Sequence, residues 1–310
     1  MIIEQRLEEV YGVVKQQLRY QATTPLLLAL TTTFSLRDEG FEIAKYEALK
    51  EEVKKQTGAF SYLRSNISMI LPNLMPATDA QEAVAQLLAN YELLIEQKFP
   101  RSNFSYLAAN YIQDEAHAKR AMSYYTALRT HHMFLTTHDD VPYAVLLTVK
   151  EEQDPVQLAD TVHQYIKDLT ARGYYKSNEL LWLAQLLAMD DANYQSTRVE
   201  DIVAMEQKLV RFGIKKKAQH YVIIGLLTLL NYNDTQLTHI IGLSDTLAKM
   251  KQFKWYKQYA LYSAIQITVH ITKEEVDDML SASILTAIET AIQAQQMTVA
   301  VTLMNTNSAT

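Results

Sequence analysis

Apolar positions recur three and four residues apart from the first turn of the chain onward. Ile3, Leu7, Val10, Val14 and Leu18 form one stripe, the spacing that places side chains on a single helix face. A second apolar segment, Pro25 to Phe34, follows a short polar gap, with proline where a helix tolerates the missing N–H. The two predict a helical hairpin.

The pattern then returns along the chain. Each first helix ends on an aliphatic anchor, at Val14, Leu49, Leu94, Leu128, Leu169, Leu209 and Leu247, with a tyrosine three or four residues before the first five. Successive anchors lie 35, 45, 34, 41, 40 and 38 residues apart, periods that belong to helical-hairpin arrays. About fifteen residues after each anchor stands a small residue: Ala29, Ser65, Ala108, Ala144, Ala184, Gly225 and Ala264. Small side chains at a repeated position let neighbouring helices approach. The expected fold is all-α, an α-solenoid-like stack of about seven hairpins. Gly58, Gly173 and Gly213 are expected to end first helices in positive φ. Asp79, Asp154, Ser196 and Asp234 are expected to cap starts of first helices, and Asp139 and Asp140 the start of the fourth second helix. Thr272 to Glu275 matches a capping box and predicts a last, stack-capping helix running to about Gln296. No stretch rich in Pro, Gly or Ser divides the chain, so residues 1–304 are read as one domain, with a disordered tail at 305–310.

Composition supports helices, since Gly and Pro number only 7 and 6 in 310 residues and tight β-turns depend on both. With no cysteine, disulfides, thiolate metal sites and cysteine nucleophiles are excluded. Charges interrupt the opening MIIEQRLEEVYGVV, and nowhere do 18 apolar residues run together; a cytoplasmic protein without membrane association is expected. The net charge of -6 argues against general affinity for nucleic acid.

Three stretches, TGAFSYLRSNISMIL at 57–71, FLTTHDDVPYAVLLTV at 134–149 and AIETAIQAQQMTVAV at 287–301, resemble a bacterial family catalogued as domain of unknown function 4003. The resemblance covers nearly the whole chain. It implies a bacterial cytosolic setting, and it brings no mechanism and no catalytic residues.

The chain has no glycine-rich phosphate loop, no H-E-x-x-H and no G-x-S-x-G, so the common nucleotide and hydrolase templates fail. No cofactor is expected. The densest group of metal-capable side chains is His131, His132, His138 and Asp139, weighed against capping by Asp139 and Asp140. His163 and Asp160 form a separate pair on another helix.

Two surfaces remain. A basic edge is expected at Arg211, Lys215, Lys216, Lys217, Lys251, Lys254 and Lys257, interleaved near its end with Phe253, Trp255, Tyr256 and Tyr259; it suits an acidic protein partner or the phosphates and bases of nucleic acid, or merely complements helix dipoles. An aromatic groove is expected from Tyr62, Tyr106, Tyr143, Trp182, Tyr221 and Tyr262, unless these rings fill the space between hairpins. The leading reading is a non-enzymatic scaffold binding a protein or peptide. The alternative is a small-molecule or metal-binding protein, even an enzyme whose site is assembled from several repeats. Leu280, Ile284, Ile288, Ile292 and Val299 give the last helix an apolar side suited to self-association.

Overall fold

A computed structural model describes residues 3–275, 296 and 298. Among the described residues all regular structure is helical, and the α-helices fall into six pairs and one trio, seven hairpins in all. These are α1 (Ile3–Leu18) with α2 (Thr24–Ser35); α3 (Ile43–Gln56) with the short α4 (Tyr62–Asn66) and α5 (Leu71–Leu74); α6 (Ala80–Glu96) with α7 (Asn103–Ala109); α8 (Glu115–His132) with α9 (Val141–Leu147); α10 (Pro155–Ala171) with α11 (Asn178–Asp190); α12 (Ser196–Arg211) with α13 (Tyr221–Leu229); and α14 (Asp234–Lys249) with α15 (Lys257–Glu275). Every anchor is buried, as are all the small partners except the exposed Ser65.

The anchors have a backbone cause. In α6, α10 and α12 the helix stops two residues beyond the anchor, and after one capping residue the next takes positive φ: Lys98 at 75°, Gly173 at 81° and Gly213 at 84°. The amide that follows turns back to the anchor carbonyl, Phe99 to Leu94 at 3.1 Å, Tyr174 to Leu169 at 3.0 Å and Ile214 to Leu209 at 3.0 Å. This is a Schellman ending, and its apolar contact is the one between anchor and turning residue. Gly58 is no part of this set, since positive φ among glycines is found at Gly40, Gly173 and Gly213. In the third pair a lysine takes the position that glycine holds in the fifth and sixth.

Two compact units result, one built from residues 1–89 and 236–310, the other from 90–235. Both boundaries fall inside helices, α6 and α14, which is why no linker composition marks them. In the second unit α7, α9, α11 and α13 pack side by side in chain order, and α8 lies along α10. In the first, α2 packs on α15. Two buried polar contacts join them, Thr32 Oγ1 to Ser263 Oγ at 2.7 Å and Gln266 Nε2 to Thr33 Oγ1 at 3.3 Å.

Three local expectations change. α15 is already continuous through Thr272, whose hydroxyl donates to the Thr268 carbonyl at 2.9 Å; the residues read as a capping box lie within a helix. Ser196 is the first residue of α12 rather than its cap. Asp140 does not cap α9. Instead it accepts the Thr137 amide at 2.9 Å, and the Thr137 hydroxyl donates to Asp139, closing a 3₁₀ turn at 138–140. The apolar stripe from Leu280 to Val299 and the tail at 305–310 lie outside the described residues.

Candidate functional site

α8 departs from the rule that ends α6, α10 and α12. No glycine follows Leu128, and the helix continues four residues beyond it, to His132. That additional turn carries His131 and His132 against α10, where Asp160 and His163 stand on adjacent turns. His132 Nε2 and His163 Nδ1 lie 3.3 Å apart. His131 Nε2 is 2.8 Å from Asp160 Oδ1, and its ring stacks on that of His163 with centroids 4.6 Å apart. The trio is graded in depth: His132 is buried, His163 half-buried and His131 exposed.

Depth and mutual proximity disfavour protonation. Burial, then the positive charges that His163, Lys176 and His131 can carry, push His132 down to about 4. Burial and the same kind of neighbours also lower His163, with Asp160 pulling the other way. Both inner rings are thereby favoured in the neutral form, in which one ring nitrogen donates to the other across the 3.3 Å contact. Among the described residues no set of three or more His, Asp or Glu side chains converges to hold a metal as it stands.

This grouping differs from the one expected. His131 and His132 come together with His163 and Asp160, from 28 to 32 positions away, while His138 and Asp139 go elsewhere. Asp139 joins Asp140 in a buried carboxyl pair. Tyr124 Oη donates to Gln185 Oε1 at 3.2 Å, and Gln185 Nε2 donates to Asp140 Oδ1 at 2.9 Å. Burial, with the Asp139 carboxyl second, raises Asp140 to about 8. Exposed His138 borders a cleft of about 460 Å³ on the neighbouring face of α8, lined also by Lys98, Tyr125, Arg129 and Met133.

Of the six aromatic residues, only Tyr62 is exposed. Tyr106, Tyr143, Trp182 and Tyr221 in the second unit and Tyr262 in the first are buried. Tyr106 stacks on Tyr91 at 3.9 Å, Tyr143 on Trp182 at 6.4 Å, and Tyr221 tilts against Tyr174 at 4.9 Å. These rings fill space between helices, the plainer of the two readings.

The basic residues are mostly at the surface. In the second unit Arg211, Lys215 and Lys217 are exposed, and the loop bearing them is held by His220 Nδ1 at 2.8 Å from the Lys215 carbonyl. Lys216 is already engaged, 3.0 Å from Glu206 and 3.8 Å over the Tyr174 ring. In the first unit Lys251, Lys254 and Lys257 are exposed around a tightly turned loop. Buried Phe253 anchors that loop, and Trp255 projects from it, 82% exposed, with Lys254 Nζ 5.3 Å from its ring centre. Sequence reasoning placed the lysines there; the outward tryptophan beside an inward phenylalanine is the addition.

These features define an all-helical protein of paired helices, with no described helix long and apolar enough to cross a membrane. Residues 10–297 match the family described as "Protein of unknown function (DUF4003)", and the chain belongs to that family. It is also similar to "Uncharacterized protein YeaA" of Bacillus subtilis (strain 168), 23% identical over 315 residues that cover 97% of this chain and 93% of that protein. No solved structure matches.

Proposed function

We propose that this protein is a cytoplasmic, non-enzymatic helical-repeat protein that binds an acidic segment of a partner protein through the loop 250–257. The observation that carries the reading is Trp255, 82% exposed. Tryptophan is rarely left in water and is enriched where partners dock. Here Phe253 and half-buried Tyr256 fix the loop from below, so the ring is presented with little freedom to lose on binding. Lys251, Lys254 and Lys257 surround it with positive charge, which steers acidic partners and raises the rate of encounter. The seven hairpins, each with a buried anchor, support the repeat reading.

The test is binding to the purified partner recovered by affinity capture, followed through tryptophan emission. The chain has two tryptophans, and Trp182 is buried, so a change on binding reports Trp255. Replacing Lys251, Lys254 and Lys257 by Glu should weaken binding at least tenfold and abolish its salt dependence. An unchanged affinity would end the proposal, as would tighter binding to a DNA oligonucleotide than to any acidic protein. A second reading, that the chain binds a small molecule or a metal ion, is favoured by one observation, the histidine cluster on α8 and α10.

A further inference from the structure

We infer that His132 and His163, completed by His131 and Asp160, form a site for a divalent transition-metal ion of the zinc type. Its starting point is the 3.3 Å between His132 Nε2 and His163 Nδ1. Two imidazole nitrogens bound to one tetrahedral zinc, each 2.0–2.1 Å from it, stand roughly 3.3–3.4 Å apart. The two rings thus hold ligand atoms at the separation the ion requires. An ion between them replaces one shared proton with two coordinate bonds.

The remaining ligands come from the outer layer. His131 stacks on His163 with ring centres 4.6 Å apart, and its centre is 6.2 Å from that of His132. It sits on the last turn of α8 with a partly exposed side chain, and rotation about its own bonds would turn a nitrogen toward the inner pair. Asp160 is exposed as well and already holds His131 through Nε2 at 2.8 Å. A carboxylate in that position either orients the histidine and raises its basicity, as outer-shell carboxylates do, or enters the coordination sphere itself. Imidazole ligands favour zinc, copper, nickel and cobalt over magnesium or calcium. If Asp160 stays on His131 instead of coordinating, the fourth tetrahedral position falls to water.

This inference does not rest on the partner-binding reading, and its test is separate. The full chain, stripped with chelator, is titrated with zinc by calorimetry and with cobalt by visible absorption. The wild type should bind one ion per chain, with the intense cobalt bands of tetrahedral nitrogen and oxygen ligation. His163→Gln should weaken zinc binding at least tenfold while its metal-free melting temperature stays near that of the wild type. His131→Gln, at an exposed position, should also weaken binding about tenfold, and it decides the matter if H163Q does not fold. His138→Gln should bind as the wild type does. The inference is overturned if the wild type takes up no zinc beyond a chelated control, if H131Q and every folded H163Q sample bind as tightly as the wild type, or if H138Q loses binding equally.

Discussion

Asp140 shows how much a single side chain is shaped by its surroundings. It is 1% exposed, and it accepts hydrogen bonds from Thr137 and Gln185. Those donors favour the charged form. Burial and the Asp139 carboxyl oppose them and prevail, leaving the proton on up to about 8. In the unfolded chain the same group titrates near 3.9. A carboxyl raised by folding stabilises fully below its unfolded value, and that stability is lost as pH rises toward the folded one. The slope through this window approaches about 1.4 kcal/mol per pH unit. Asp139 is raised too, whereas His117, His132, His163 and His220 are lowered and lose stability in the opposite direction, as pH falls. Comparing the wild type with Asp140→Asn isolates the carboxyl. From pH 5 to pH 8 the stability advantage of the wild type over D140N, read from urea midpoints, should shrink by more than 1 kcal/mol. A constant difference would show that Asp140 is ionised throughout.

At the scale of elements, the approach of α11 and α13 is set by an absent side chain. A Cβ built on Gly225 would stand 2.6 Å from Leu183 Cδ1 and 3.0 Å from Leu186 Cδ2. Both leucines are buried. Gly242, within α14, has nothing within 4 Å of a Cβ. In an open helix, glycine to alanine stabilises by roughly 0.5–1 kcal/mol. Gly242→Ala should do so, while Gly225→Ala should destabilise by about 1–3 kcal/mol through overpacking; thermal unfolding of the two variants checks the opposite signs. The helical pairs were legible because anchor, small partner and Schellman ending each leave a local trace in the sequence. Thr272 to Glu275 misled because a capping box is recognised by residue type alone; the helix expected around Ala264 runs on through it to Glu275. The aromatic positions were found, but their spacing is the same whether a ring faces water or a neighbouring helix. His163 could not be joined to His132 from sequence: the link depends on α8 extending past Leu128 and on its packing along α10, neither of which is a motif.

On the scale of the whole molecule, the two units differ in how chain order serves them. Residues 90–235 are contiguous, and their helices pack largely on neighbours in sequence. The other unit takes its helices from both ends of the chain. A chain stopping at residue 249 loses α15 and with it the apolar and hydroxyl contacts that cover α2. Hydrogen exchange on that truncated protein should show lost protection in α1 and α2, with α8, α10 and α11 protected as before. Protection of α1 and α2 equal to the full chain would show that the pair holds without α15. The contact of Thr32 with Ser263 reaches further than stability. During synthesis the amino-terminal helices leave the ribosome long before their partner exists; between residue 89 and residue 275 the nascent chain waits roughly 10 to 40 s at 5–20 residues per second. Over that interval the part of α2 that α15 covers stays open, while residues 90–235 can already fold. The order of manufacture is thus reversed in the order of completion, and the first helices made are among the last to be sheltered.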